Sequence, residues 1–218
     1  MKSEIGRLIT LEGIDGSGKS TALQHIAARL SEARPQRRLL LSAEPTSGPE
    51  GGIIRDSLSR SRDAGSRDAL AAAHMNELFL FFADHARHLS EKVIPALEEG
   101  AIVLCDRYAD STAAYQGVTL RGILPDPVAW IQSILLPWNR CPDMTFLFLI
   151  EPEAAIQRMQ SRPGREKFER LEFLQWVDEN FRGIAAAEPE RFVLIDAAKP
   201  AEQVAEDAVE AILEKLPL

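Results

Sequence analysis

Residues 8–20 constrain the fold more than any other part of this sequence. An apolar run with Leu8, Ile9 and Leu11 leads into Gly13-Ile-Asp-Gly-Ser-Gly-Lys-Ser20. A glycine, four free positions, a glycine, a lysine and a serine form the pattern of a phosphate-binding loop between a strand and a helix. The glycines let the backbone wrap closely around phosphate oxygens, and the helix that follows adds the positive end of its dipole. The pattern therefore predicts a nucleoside triphosphate site.

Two side chains of this loop are expected to contact different parts of a bound triphosphate. Lys19 supplies a mobile cation for the outer phosphates, and Ser20 supplies a hydroxyl suited to Mg²⁺. The stretch 21–30 that follows has a helical pattern, as the motif requires. We expect the triphosphate to be bound by Gly13, Asp15, Gly16, Ser17, Gly18, Lys19, Ser20 and Thr21.

Apolar strands and helical stretches alternate along the whole chain. Four further strands are predicted at residues 38–43, 100–105, 144–150 and 192–195. Helices are predicted at 21–30, 53–60, 67–91, 126–136, 152–160, 168–187 and 201–216, with Pro95 allowing a kink or break near the end of the third. Because most strands are continuously apolar, the pattern favours an α/β fold with a five-stranded parallel sheet and helices on both faces. A length of 218 residues suits one domain, 1–218.

Ligands of such sheets collect at the carboxyl ends of the strands. Glu44 and Pro45 follow the second predicted strand, and Asp106-Arg107-Tyr108 follows the third. Asp106 is placed to hold the Mg²⁺ shell together with Ser20. Arg107 is placed to clamp a second phosphate in bidentate fashion. The alternative is a surface ion pair that caps the strand.

A second basic cluster lies far along the chain. Arg158 and Arg162 are four residues apart at a predicted helix end and share a face, and Arg165 extends the positive charge. Pro163 and Gly164 make the intervening segment flexible. A basic flap around residues 161–168 would complete the charge needed for phosphoryl transfer, because negative charge spreads over several oxygens in that transition state. The alternative is a solvated charged loop.

Composition excludes several classes of protein. A formal net charge of −8 argues against binding of a nucleic-acid backbone. Cys105 and Cys141 show neither metal-ligand spacing nor a disulfide framework. The predicted first strand begins too early for a signal peptide, and no apolar run approaches the roughly 18 residues of a membrane span. We therefore expect a cytoplasmic protein without nucleic-acid or membrane partners.

Several of these motifs, in the same order, resemble those of the thymidylate kinase family. They are the phosphate loop, Glu44-Pro45, Phe81, the segment Asp106-Arg-Tyr-Ala-Asp-Ser-Thr-Ala-Ala-Tyr-Gln-Gly117 and the basic flap. The resemblance runs from about residue 7 to the C-terminal helix, and residues 106–117 are its most specific part. It implies a P-loop nucleoside monophosphate kinase-like fold, ATP as phosphoryl donor with Mg²⁺, dTMP as acceptor and a homodimer.

The same resemblance implies roles for individual positions. Asp15 would face the acceptor sugar and the transfer zone, and Arg107 would bind the dTMP phosphate. Phe81 would stack on thymine, although it could also be a core residue within a Phe-rich stretch. Thr112 would read the base edge, and Tyr115 would pack against the deoxyribose, although it could also simply pack its helix. The expected acceptor-binding set is Glu44, Pro45, Phe81, His85, Arg107, Ser111, Thr112, Tyr115 and Gln116.

The loop composition indicates a subtype, and two positions depart from the family pattern. Some members of the family carry an arginine inside the phosphate loop, at the position where this chain has Gly16. The resemblance is therefore to the form in which the flap supplies the catalytic arginine. Here that arginine would be Arg158, Arg162 or Arg165, and it would act together with Lys19. An arginine is usual at the positions of Ala43 and His85. A histidine with an ordinary pKa near 6.5 is mostly neutral at physiological pH, so a permanent cation is lost at position 85. His88, about 60° away around the helix, could line the same wall.

Two other interpretations remain open from the sequence. The departures at Ala43 and His85 are compatible with a related nucleotide or nucleoside kinase that uses another acceptor. A nucleotide-binding regulator without catalysis is the other possibility, and the joint presence of Lys19, Asp106 and Arg107 argues against it.

Overall fold

One parallel sheet carries the fold in the computed structural model, which describes residues 5–59, 66–160 and 171–216. Within these ranges the sheet has five strands in the order β2-β3-β1-β4-β5. The strands are β1 (Arg7–Glu12), β2 (Leu39–Ala43), β3 (Ile102–Asp106), β4 (Met144–Leu149) and β5 (Phe192–Asp196). The predicted five-stranded parallel α/β sheet is confirmed.

Helices connect successive strands. The described helices are α1 (Lys19–Ala33), α2 (Pro49–Ser59), α3 (Arg67–His88), α4 (Ile94–Glu98), α5 (Ala109–Thr119), α6 (Pro127–Leu135), α7 (Pro152–Gln160), α8 (Leu171–Ala187) and α9 (Ala201–Lys215). A π-helical turn, Leu89–Val93, joins α3 to α4. α1 packs against α9, whereas α5 packs between α6 and α8.

Strand β1 lies at the centre of the sheet and positions the phosphate loop. Residues Leu8 to Glu12 are all buried, and successive strand residues point to opposite faces, so both faces of β1 are covered. In the register of the sheet, Leu11 lies beside Asp106 of β3, and Glu12 lies beside Leu147 of β4. The carboxyl end of β1 therefore opens between the ends of two other strands, where a ligand can reach all three.

Helix α5 is absent from the sequence-based prediction. Its residues from Ala109 to Val118 are all buried, polar ones included, so no exposed polar face alternates with an apolar face and the sequence shows no amphipathic periodicity. The helix nevertheless carries four of the expected acceptor-binding residues, Ser111, Thr112, Tyr115 and Gln116. These side chains lie near one another because they belong to the same helix, and hydrophobic periodicity alone does not detect this helix.

The largest shifts of a predicted bound occur at the start of helix α2 and at the end of the third predicted helix. Helix α2 begins at Pro49, within the predicted loop 46–52, because Gly51 lets the helix approach the chain closely: a Cβ at this position would lie 1.9 Å from the carbonyl oxygen of Thr46. The third predicted helix continues past Pro95 through the π-helical turn. Proline cannot donate a backbone hydrogen bond, and the wider turn precedes it directly.

Both cysteines are free thiols, with Cys105 buried and Cys141 exposed. Among the described residues, no helix is both long and apolar enough to cross a membrane. The predicted flap, including Arg162 and Arg165, lies outside the described residues.

Candidate active site

The phosphate loop runs from Gly13 to Ser20, between β1 and α1. Gly13 and Gly16 have φ values of 138° and 81°, in the region that glycine tolerates. A Cβ at Gly16 would lie 2.5 Å from the carbonyl oxygen of Ala155 in α7, so this position holds no side chain without movement of that backbone. Gly18 caps α1 in a left-handed conformation. The glycines therefore permit the positive φ values and the close backbone contacts of the loop, as the sequence pattern predicts.

Lys19 is held inside the loop. Its Nζ donates to the Ile14 carbonyl at 2.9 Å and to Ser17 Oγ at 3.1 Å. Burial, followed by the nearby Arg107 charge, lowers the pKa of Lys19 to about 7. The cavity beside it is lined by Asp15, Gly16, Gly18, Lys19, Ser20, Thr21, Ala43, Glu44, Asp106 and Arg107. A bound polyanion would favour the protonated ammonium.

Ser20 and Asp106 meet at one side of this cavity. Ser20 Oγ donates a hydrogen bond of 2.5 Å to Asp106 Oδ2. A hydroxyl and a carboxylate are oxygen ligands of the kind that Mg²⁺ prefers, and both lie beside the loop. The pair fits a Mg²⁺ ion bound together with phosphate oxygens.

Arg107, Asp15 and Tyr115 form a closed network in front of the loop. Arg107 Nη2 lies 2.6 Å from Asp15 Oδ1 and donates to the Tyr115 hydroxyl at 3.2 Å. That hydroxyl donates to Asp15 Oδ2 at 2.8 Å and accepts the Asp15 N–H at 3.0 Å. Burial alone would raise the pKa of Asp15, but Arg107 and Lys19 outweigh burial and lower it. The network orients a fixed cation and a carboxylate toward the same space.

A second cavity adjoins the phosphate loop and has an apolar wall. It is lined by Asp15, Glu44, Pro45, Leu58, Phe81, Arg107, Tyr108, Ser111, Thr112, Tyr115 and Gln116. Phe81 is half-buried and lines the wall, whereas the adjacent Phe82 belongs to the core. The two phenylalanines thus have different environments, which the Phe-rich sequence could not distinguish.

Gln116 lines this cavity with its amide already engaged. Its Nε2 donates to Glu77 Oε1 at 3.2 Å, and its Oε1 accepts from Thr119 Oγ1 at 2.8 Å. The side chain is therefore fixed in one orientation.

His85 lies behind Glu44, away from the cavity wall. It is 1% exposed, and its Nδ1 lies 2.8 Å from Glu44 Oε1. His88 reaches the same oxygen through Nδ1 at 2.6 Å, so both histidines hold Glu44. Burial disfavours the charged ring, but Glu44 outweighs burial and raises the pKa of His85. His85 is thus placed against Glu44 and not at the expected acceptor wall, and its raised pKa favours the charged ring more than in an ordinary histidine.

Glu12 lies next to the expected site residues and was not predicted from the sequence. This residue ends β1 with no exposed surface, beside Ser111 and Tyr108. A glutamate directly before the first loop glycine is the only sequence signal, and it gives no indication of burial.

The expected residues of the distant basic cluster are only partly described. Arg158, near the end of α7, donates from Nη1 to the Ala197 carbonyl at 3.0 Å, after β5. This contact directs one basic side chain toward the β5–α9 turn.

Comparisons with known proteins agree with this geometry. A family model described as thymidylate kinase matches residues 11–208. The chain is 45% identical over 212 residues to a probable thymidylate kinase of Methanosarcina acetivorans, covering 96% of each chain. It is 46% identical over 212 residues to that of Methanosarcina mazei, with 96% of each covered. It is 40% identical over 210 residues to that of Halobacterium salinarum, covering 96% of this chain and 97% of the other.

The family match includes the phosphate loop, strands β2 to β5 and the residues that line both cavities, and it confirms the P-loop nucleoside monophosphate kinase fold predicted from the sequence. The central sheet, the phosphate loop at its carboxyl edge and the extended similarity lead to one conclusion: this chain belongs to the thymidylate kinase family.

Proposed function

We propose that this protein transfers the γ-phosphoryl group of ATP to dTMP and produces dTDP. The observation that supports it best is the adjacency of two cavities that share Asp15, Glu44 and Arg107. One cavity contains the phosphate loop, and the other offers an aromatic wall and hydrogen-bonding groups. Two nucleotides bound there would meet with their phosphates at Arg107.

The roles of the side chains follow from their charges and positions. Lys19 would neutralise the outer phosphates of ATP, and Arg107 would bind the acceptor phosphate in line with the transferred group. No general base is needed, because a monophosphate at neutral pH already offers a nucleophilic oxygen. Ser20 and Asp106 would hold Mg²⁺, which when bound screens the negative charge of the donor phosphates. Arg158, Arg162 and Arg165 are the candidates for the flap arginine of this single 1–218 domain.

Acceptor recognition would rest on the apolar cavity. Phe81 would stack on the base, Thr112 and Gln116 would read its edge, and Tyr115 would exclude a 2′-hydroxyl. Pro45 and Ser111 would complete the wall. Glu44 would act at the junction of the two cavities, because it lines both.

A coupled assay of ADP formation with dTMP, dUMP, dCMP, UMP and thymidine tests the proposal. We expect turnover of dTMP above all other acceptors, with activity lost on Mg²⁺ chelation and restored by added Mg²⁺. Preference for another acceptor would indicate a related kinase, and ATP binding without any turnover would indicate a regulator. Either result would refute the proposal.

A homodimer in the cytoplasm completes the proposal. Phe79 on α3 is 55% exposed, and a large exposed aromatic side chain on this helix suits a helix-mediated interface. Sedimentation at low micromolar concentration would report a mass near twice that of the chain, and a monomer would contradict it. The two free cysteines fit a reducing compartment.

A further inference from the structure

Glu12 is a carboxyl group in an unusual place. It ends β1 directly before Gly13, and its side chain has no exposed surface. A buried carboxyl is unfavourable unless hydrogen bonds compensate for the lost water. The two hydrogen bonds that Glu12 accepts therefore indicate its role in the structure.

Both hydrogen bonds lead to Arg107. Glu12 Oε1 accepts the backbone N–H of Tyr108 at 2.8 Å, and Oε2 accepts from Ser111 Oγ at 2.5 Å. The Ser111 oxygen in turn accepts from Arg107 Nη1 at 3.0 Å, and the same Nη1 donates to the Gly13 carbonyl at 3.0 Å. Glu12 thus contacts the backbone immediately after Arg107 and, through one hydroxyl, its guanidinium.

The backbone of Arg107 needs such support. Arg107 has φ of 67°, a left-handed conformation that residues other than glycine rarely adopt. This turn directs the following N–H, that of Tyr108, into the core, where Glu12 is its acceptor. The Arg107 N–H donates to the Leu11 carbonyl at 3.0 Å, so both peptide groups around the turn are anchored to β1.

Hydrogen bonding, more than charge, is suited to this task. Burial, followed by the neighbouring Asp110, raises the pKa of Glu12 to about 8. The hydrogen bond from Ser111 and the charges of Arg107 and Lys19 act in the opposite direction and favour the ionised carboxylate. Whether the Glu12 carboxyl is ionised or neutral, the Ser111 oxygen keeps a lone pair that accepts from Arg107.

We propose that Glu12 is a positioning residue that fixes Arg107, through Ser111 and the Tyr108 backbone, in the orientation that binds the acceptor phosphate. The inference rests on the proposed function only for the identity of the ligand that Arg107 binds. The position of the guanidinium is a property of the protein alone.

Glu12→Asp is the decisive variant, because it keeps the carboxyl and shortens its reach by one methylene. We expect the Kd for dTMP to rise about tenfold or more, since small misplacements of a binding group have large effects, with a much smaller change in the Kd for ATP. Glu12→Gln keeps the reach and resembles the neutral carboxyl, so its loss should be smaller than that of Glu12→Asp. Glu214→Asp, the same shortening at an exposed residue of α9, is the matched control.

Calorimetric titrations of the four proteins with dTMP and ATP separate the outcomes. A Glu12→Asp protein that matches Glu214→Asp would overturn the proposal. So would equal losses of dTMP and ATP affinity, which indicate a general structural role, or a larger loss in Glu12→Gln, which indicates a role for charge. If Glu12→Asp does not fold, Ser111→Ala removes the connecting hydroxyl, and an unchanged Kd for dTMP would contradict the inference.

Crystal structures of the wild type and Glu12→Asp test the inference without any nucleotide. We expect the distance from Arg107 Nη1 to Ser111 Oγ, 3.0 Å here, to lengthen in the variant. An unmoved guanidinium would refute the positioning role. If the wild type fails to bind dTMP, the proposed function is wrong, and this distance still decides the role of Glu12.

Discussion

The imidazole of His85 donates toward Glu44 from one ring nitrogen and faces another oxygen with the other. Its Nδ1 lies 2.8 Å from Glu44 Oε1, and its Nε2 lies 3.0 Å from Asn139 Oδ1. Two oxygen neighbours favour a ring protonated on both nitrogens. This arrangement favours a positively charged histidine beside the glutamate that lines both cavities.

This buried pair predicts a dependence of stability on pH. The pKa of His85 is raised in the folded protein, so its stabilisation is fully present below the unfolded value of about 6.5 and is lost as pH rises through the folded pKa. The pKa of Glu44 is lowered, so this carboxylate stays ionised over that range. His85→Asn should reduce the free energy of unfolding by about 3–5 kcal/mol at pH 6, because it leaves a buried carboxylate with one partner fewer.

Urea denaturation at pH 6 and pH 9 measures the effect. The difference in the free energy of unfolding between wild type and His85→Asn should be smaller at pH 9 than at pH 6. Groups such as Lys19 titrate in both proteins, so their contributions cancel in this difference. His25→Asn, on the exposed face of α1, serves as control and should show no such trend. A difference that is equal at both pH values would contradict the ion pair.

Lys19→Met should remove the cation of the phosphate loop. We expect kcat to fall by about 10²–10³-fold, the range seen when one group that stabilises transition-state charge is deleted. Lys92→Met, at an exposed residue of the π-helical turn, is the matched control in the coupled assay. Retention of full kcat in Lys19→Met would show that another cation serves the phosphates.

Alanine substitutions of the neighbouring Phe81 and Phe82 should affect different properties: Phe81→Ala mainly the binding of dTMP, and Phe82→Ala mainly the stability of the protein. Phe82→Ala should lower the free energy of unfolding by about 3–5 kcal/mol, because Phe82 lies in the core and its removal leaves a cavity. Phe81→Ala should destabilise less and raise the Kd for dTMP about tenfold or more, since a base stacks on an aromatic ring with about 1–3 kcal/mol. Thermal unfolding and calorimetric titration of both variants test the contrast, which fails if Phe81→Ala binds dTMP normally.

The chain contains two tyrosines near the site, and their hydroxyls should behave differently. Tyr115→Phe removes the hydroxyl that contacts Arg107 Nη2 and two groups of Asp15, so kcat/KM for dTMP should fall by about tenfold or more. In Tyr108→Phe the lost bond goes to the Arg140 carbonyl at 3.0 Å, so stability should fall with a smaller change in kcat/KM. Equal kinetic losses would argue against a special role of the Tyr115 hydroxyl.

The sequence predicts the sheet and the loop well because their signals are local. The strand, glycine loop and helix around Lys19 occupy consecutive residues, and continuous apolar runs identify the other strands. Helix α5 gives no such signal, because it is buried on every side. Contacts between residues that are distant in sequence cannot be predicted from local patterns either. Glu44, His85 and Asn139 are an example, because only the fold brings them together.

The left-handed backbone of Arg107 has a consequence for attempts to improve this protein. For a residue other than glycine such a conformation costs about 1–2 kcal/mol, so Arg107→Gly would relieve backbone strain while deleting the guanidinium. A design procedure that scores backbone strain alone would favour glycine here, although the change also removes the ion pair with Asp15 and the hydrogen bonds to Gly13 and Ser111. Position 107 should therefore be held constant in any thermostabilisation of this fold.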